Sequence, residues 1–382
     1  MNQRRTIRAY LDYNATAPLR PEAMSAMGAA MEVFGNPSSV HDEGRRARGL
    51  VEFAREAVAA LVGAEASEVV FTSGATEANA AVMAAGWDVI IVAGIEHDSV
   101  LAPARAAGAE IVGLPVLPTG IVDLAKLEAA LAAKAGHGRK ILLTLQLANN
   151  ETGVIQPVAA AAALARAHGV TIHSDAVQAV GRVPVALRAL GVDLMSLTAH
   201  KLGGPKGVGA LVVRDGTHVP PFIVGGGQER RRRAGTENVI GIAGFAAAAE
   251  AARCELDRFE DVARLRDRLE GGVRRLTPQV AIIGSDAPRL PNTSCLAWSG
   301  QSAETLVIKL DLAGIAASAG AACSSGKVGA SAVLSAMGLG SGLARSAIRL
   351  SFGWRSSEAD LESFLSAWEG IATSVASRRA VA

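Results

Sequence analysis

Lys201 stands where the apolar run Met195-Ser196-Leu197-Thr198 gives way to the Gly/Pro-rich turn Leu202-Gly203-Gly204-Pro205-Lys206-Gly207, and Asp175 closes another run, Ile172-His173-Ser174-Asp175. A lysine amine can condense with an aldehyde, and a carboxylate can hold a ring nitrogen protonated so that the ring draws electrons. Those two groups are what a pyridoxal phosphate site requires. Taken alone, the pair also fits two surface charges at strand ends, so the choice rests on the rest of the chain.

A phosphate site is the next requirement. After Val69-Val70-Phe71-Thr72 comes Ser73-Gly74-Ala75-Thr76-Glu77-Ala78-Asn79, a glycine turn from strand into helix. Backbone N–H groups at a helix N-terminus suit a dianion, and ligands of α/β proteins sit at the C-terminal edge of the strands. An ordinary cap on Ser73 or Thr76 is the competing reading. A nucleophile is offered by Cys323 in Ala319-Gly320-Ala321-Ala322-Cys323-Ser324-Ser325-Gly326, small residues that cannot pack a core and should form a mobile loop. A thiol of pKa about 8.5 is partly thiolate at neutral pH. Cys254, in a helical stretch, and Cys295, in an apolar run, are expected to be inert.

The elements that must position these groups are legible. Strand-like runs lie at Val69–Thr72, Val89–Val92, Ile111–Val112, Ile141–Thr144, Val170–Ile172, Leu194–Leu197 and Ala210–Val213. Helical patterns lie at Pro21–Met31, Arg45–Leu61, Thr76–Ala85, Asp123–Lys134 and Val158–His168. Alternation of the two predicts an α/β fold, a mostly parallel seven-stranded sheet with helices on both faces. One long helix is expected over Ile242–Leu276. A smaller α+β region follows, with strands near Ala281–Ile283, Ser294–Trp298 and Ile348–Phe352 and helices at Glu304–Leu312 and Glu358–Thr373. The expected division is a large cofactor-binding domain over 15–250 and a small domain built from 1–14 and 251–382, carrying the cysteine loop.

Composition narrows the class. Half of the 382 residues are hydrophobic but only 4% are aromatic, which suits alanine-rich helices on buried strands. A net charge of +2 gives no case for a nucleic acid partner, and no apolar run approaches a membrane span. Asp12 interrupts the only stretch that could serve as a signal's apolar segment, so a cytoplasmic location is expected. Three widely spaced cysteines indicate neither a disulfide scaffold nor a metal site.

In order along the chain stand Tyr10-Leu11-Asp12-Tyr13-Asn14-Ala15-Thr16-Ala17-Pro18, Phe34-Gly35-Asn36-Pro37-Ser38-Ser39, Thr72-Ser73-Gly74-Ala75-Thr76-Glu77, Glu96-His97, Asn149-Asn150-Glu151-Thr152-Gly153, His173-Ser174-Asp175-Ala176-Val177-Gln178, Ala199-His200-Lys201, Gly225-Gly226-Gly227-Gln228-Glu229-Arg230, Arg233-Ala234-Gly235-Thr236-Glu237-Asn238 and the Cys323 loop. With these the sequence resembles the group I cysteine desulfurases of the NifS/IscS type, pyridoxal phosphate enzymes of the class V aminotransferase family and of fold type I. The resemblance runs over nearly the whole chain. It implies that Lys201 carries the cofactor and moves the substrate's Cα proton. Asp175 then faces the pyridine nitrogen, Gln178 and Asn150 lie near the ring's phenolic oxygen, and His97 stacks on the ring with a catalytic part. The phosphate would meet Ala75, Thr76, Thr198 and His200, with Thr236 supplied by the facing subunit of a homodimer. Arg349 would clamp the substrate α-carboxylate, with Asn36 assisting.

By the same resemblance, Cys323 takes sulfur from L-cysteine as a persulfide, leaving L-alanine, and passes it to an iron–sulfur scaffold or another sulfur acceptor. Arg230 to Arg233 could be read as a nucleic acid patch, but few aromatics accompany them, and an interface loop is the preferred reading. Two departures stand out. Alanines at 319, 321 and 322 replace hydroxyls usual in the family's loop, and the tail after Ser377 is short, so docking of a scaffold by a longer tail is not expected. The rival readings are a selenocysteine lyase, a β-lyase or an aminotransferase of the same fold, needing no cysteine, and a docking platform without catalysis.

Overall fold

The computed structural model describes residues 8–136, 138–320 and 330–381. Its strands in chain order are β1 (Ala9–Tyr10), β2 (Val69–Thr72), β3 (Val89–Ala93), β4 (Glu110–Leu114), β5 (Ile141–Thr144), β6 (Thr171–Asp175), β7 (Leu194–Thr198), β8 (Gly209–Val213), β9 (Ala281–Ile283), β10 (Thr293–Ala297), β11 (Ile315–Ala316), β12 (Ser318–Ala319) and β13 (Ala347–Ser351). The first six helices are α1 (Pro21–Met31), α2 (Asp42–Leu61), α3 (Ala75–Met83), α4 (Asp98–Ala106), α5 (Leu124–Lys134) and α6 (Val158–Ala167).

Seven strands form the large sheet in the order β2-β8-β7-β6-β5-β3-β4, and only β8 runs antiparallel to its neighbours. The sheet is covered on both faces. In β3, Val89, Ile91 and Ala93 join one apolar core while Ile90 and Val92 join the other, the period of two that a pleated strand dictates. Every strand but β8 therefore points its C-terminal end to the same edge, where the chemistry-bearing residues emerge.

A second sheet, β12-β13-β10-β9, packs with β1 and β11 around a separate core that includes Leu11, Leu296, Ile348, Phe364 and Trp368. β1 pairs in parallel with β11, so the N-terminal segment joins this core rather than the first. Among the described residues no helix is long and apolar enough to cross a membrane.

The structure replaces the single helix expected over 242–276 with two, Val239–Cys254 and Phe259–Leu276, separated by a 3-10 turn at Leu256–Arg258. The reason is a change of core. The first helix buries Ile242, Phe245 and Ala249 in the core of the large sheet, and the second buries Val262, Leu265 and Leu269 in the other. One straight rod cannot do both.

Between β8 and the first of those helices the chain makes a left-handed turn, with φ of 45° at Glu229, 55° at Arg230 and 64° at Arg231. Non-glycine residues resist that conformation, so something must hold it. The Glu229 carboxylate is buried and takes the Arg55 guanidinium at 2.7 and 2.9 Å, together with the Phe71 N–H at 2.8 Å. Removing one partner of such a pair strands a charge, so Arg55→Leu should cost ~3–5 kcal/mol. The check is the urea midpoint, and a midpoint equal to that of the unchanged protein would contradict the assignment.

Candidate active site

The C-terminal edge of the large sheet opens into a cavity of about 610 Å³. Asp175, the last residue of β6, sits in its wall, and its carboxylate is fixed by two donors, the Asn79 amide at 2.9 Å and the Val177 N–H at 3.0 Å. Lys201 follows β7 on a short 3-10 turn and enters the same cavity, where its amine donates to the carbonyls of Asn14 and Ala15, the latter at 2.8 Å.

Ala75 and Thr76 form the first turn of α3 on another wall. Neither Ser73 nor Thr76 caps this helix; the N-cap position is Gly74, and no side chain bonds the helix's opening N–H groups. An uncapped N-terminus facing a cavity suits a phosphate dianion. Gly209, at the start of β8, passes so near this turn that a Cβ there would lie 2.7 Å from the Gly74 backbone. Only glycine fits there. Thr198 and His200 border the same end, and the His200 Nδ1 lies 3.2 Å from the Thr16 hydroxyl. Burial, with Lys201, Lys206 and Arg182 adding to it, pushes His200 down to about 4, so the ring is neutral at pH 7.

His97 caps α4, its Nδ1 accepting the Ser99 N–H at 3.1 Å with the Ser99 hydroxyl 2.8 Å away. When neutral, the imidazole therefore carries its proton on Nε2. Gln178 and Asn150 also border the cavity. The Gln178 amide donates to the Asn14 carbonyl at 3.1 Å and accepts from Arg182 at 2.6 Å.

The carboxylate, the lysine, the imidazole and the uncapped helix end thus share one cavity, a donor set that matches a phosphorylated aldehyde with a basic ring nitrogen. Two expected substrate contacts lie elsewhere. Arg349 on β13 is buried, with its fork on Asp12 at 2.8 Å and on the Asn150 carbonyl at 3.1 Å, so the cavity wall ends at Asn150 in front of it. Its Nε is buried without a hydrogen-bond partner. Asn36 is exposed, its side chain accepting from the Ser38 N–H, and Thr236 is exposed as well. Neither borders the cavity. Cys323 lies outside the described residues.

Sequence reasoning missed Asn14 and Arg182. The Asn14 side chain joins Asn150, Thr293, Arg182 and Asn292, while its carbonyl receives Lys201 and Gln178. Asn14 sits in a quoted motif and Arg182 lies four residues after Gln178, yet neither position reveals a partner hundreds of residues away.

Glu151 is another group with no assigned part. It is buried beside the cavity's Asn150, accepting the Ser331 hydroxyl at 2.6 Å. Burial pushes its carboxyl up to about 7, Ser331, Arg349 and His97 opposing and Asp98 adding to the rise. The folded state thus keeps a proton that the unfolded chain releases near pH 4.5. Stability contributed by that proton is full below pH 4.5 and falls as the pH climbs to about 7. Glu151→Gln should accordingly gain on the order of 3 kcal/mol over the unchanged protein at pH 8 and nothing at pH 4. Equal urea midpoints for the two proteins at pH 8 would refute this.

Comparison with known proteins agrees with that chemistry. The aminotransferase class-V family profile matches residues 9–364. A cysteine desulfurase of Cereibacter sphaeroides is 43% identical over 371 residues, covering 94% of each chain. The cysteine desulfurase IscS of Dictyoglomus turgidum is 41% identical over 374 residues, with 95% of this chain and 94% of that one covered. Among solved structures, a NifS-like protein from Rickettsia africae superposes with a TM-score of 0.89 at 34% identity, over 95% of this chain and 99% of its own. The chain belongs to the NifS/IscS-type cysteine desulfurases of the class-V aminotransferase family, which are pyridoxal phosphate enzymes.

Proposed function

We propose that this protein removes sulfur from L-cysteine, releases L-alanine and holds the sulfur as a persulfide on Cys323 for transfer to an iron–sulfur scaffold or another thiolation acceptor. The observation that carries the reading is the meeting of Lys201, Asp175, His97 and the uncapped end of α3 in one cavity. Pyridoxal phosphate, when bound, supplies the electron sink that makes the substrate's Cα–H and Cβ–S bonds labile.

The chain's own residues do the rest. Lys201 anchors the cofactor and then takes and returns the Cα proton. The Asn14 and Ala15 carbonyls hold its amine at the cavity floor. The Asn79 and Val177 donors hold the Asp175 carboxylate, which would pair with the ring nitrogen and keep it protonated. Ala75, Thr76, Thr198 and His200 receive the phosphate, and Thr236 completes that pocket from the second subunit of a homodimer. Arg349 is the candidate for the substrate α-carboxylate, which requires its fork to leave Asp12 and the Asn150 carbonyl and turn into the cavity, and Asn36 assists there only if its exposed segment moves to the cavity. The thiolate of Cys323 attacks the substrate sulfur: an S–S bond forms, the Cβ–S bond breaks with its electron pair left on carbon, and protonation there gives alanine.

Mass spectrometry after exposure to L-cysteine tests the reading directly. One added sulfur atom on a peptide containing Cys323 is the expected result, and unmodified Cys323 alongside alanine production would reject it.

A further inference from the structure

We infer that Asn79, acting through Ser99, is a positioning residue that ties the carboxylate assigned to the cofactor's ring nitrogen to the imidazole assigned to the ring's face. Asn79 lies on α3, is fully buried and does not line the cavity. Its Nδ2 donates to Asp175 Oδ2 at 2.9 Å and to the Ser99 hydroxyl oxygen at 2.9 Å. The carboxylate oxygen is an acceptor, so the amide must present its NH2 group on that side. Ser99 Oγ is then obliged to accept as well, and the hydroxyl's single proton is left for His97 Nδ1, 2.8 Å away. The result is a directed string, with Asn79 donating to Asp175 at one end and Ser99 donating to His97 at the other.

A second observation separates this role from space filling. The Asn79 Oδ1 is buried with no hydrogen-bond partner. Leucine would occupy the same volume without leaving a carbonyl unsatisfied, so what the site keeps is the NH2 group. The string spans three elements, α3 through Asn79, β6 through Asp175 and the start of α4 through His97 and Ser99.

The role rests on Asp175 and His97 being the ring contacts, so the test separates the two ideas. Protein labelled with 15N-histidine, without cofactor, would be compared with Ser99→Ala, Asn79→Ala and the double variant, and the affinity of each for pyridoxal phosphate measured. Ser99→Ala should move the His97 Nδ1 resonance and weaken cofactor binding about threefold, and Asn79→Ala should move the same resonance and weaken binding at least about tenfold. The double variant should bind no more weakly than about the Asn79→Ala protein, because the two changes cut one string. An unmoved resonance in Asn79→Ala, or affinity losses that multiply, would overturn the inference. Should Asn79→Ala not fold, an unmoved His97 resonance in Ser99→Ala overturns it alone. Asp175→Ala binding the cofactor as tightly as the unchanged protein would instead sink the ring-contact reading, and the role with it, while the resonance would still report the string.

Discussion

Replacing Lys201 with arginine is expected to lower alanine formation from cysteine by at least ~10³-fold while leaving the fold intact. The guanidinium can keep the hydrogen bonds that the Lys201 amine makes to the Asn14 and Ala15 carbonyls, so the cavity floor should stay ordered. It cannot join the cofactor covalently, and a guanidinium that stays protonated at any working pH cannot take a proton from carbon. Lys201→Ala removes the same two capacities together with the hydrogen bonds, and should fall at least as far. The measurement is alanine released per bound cofactor, with cofactor retained through Asp175 and the α3 terminus in both variants. An arginine variant keeping a tenth of the rate would show that another base serves the Cα proton.

The large sheet was readable because strands buried on both faces must be continuously apolar, and the runs at β2, β3, β5 and β7 are bounded by polar or glycine residues. Lys201 and Asp175 were readable for a related reason, since a charged side chain closing such a run emerges at the sheet's edge. α4 was missed because Pro103 lies inside it and breaks the helical pattern in sequence, although the break is tolerated in a nine-residue helix. The two-residue strands β1, β11 and β12 are too short to leave a period. The supporting shell was illegible for a deeper reason. Asn14, Asn79, Ser99 and Arg182 act through partners set by the fold, and an isolated amide or hydroxyl in a sequence carries no sign of its acceptor. Likewise nothing in Ala347-Ile348-Arg349 announces Asp12, which stands 337 positions away.

Three thiols make the second large effect a matter of discrimination. Cys295, on β10, is fully buried, and burial pushes its thiol far above the ordinary value, so it is neither accessible nor ionised. Cys254 is exposed at the end of the helix Val239–Cys254, and neither it nor Cys295 borders the cavity. Cys254→Ser and Cys295→Ser should therefore retain cysteine turnover. Cys323→Ala should lose at least ~10²-fold of it while keeping the cofactor's colour, because Lys201 and Asp175 still hold the ring but no nucleophile reaches the substrate sulfur. An enzyme that eliminated sulfur without a protein thiol would leave the Cys323→Ala rate untouched. That outcome would move the protein to the lyase reading with its cavity unchanged. The same measurement with selenocysteine sharpens the distinction, because a weaker Cβ–Se bond lowers the need for a thiolate. A desulfurase should then lose far more cysteine turnover than selenocysteine turnover on removal of Cys323, and equal losses on both substrates would place Cys323 in a structural role.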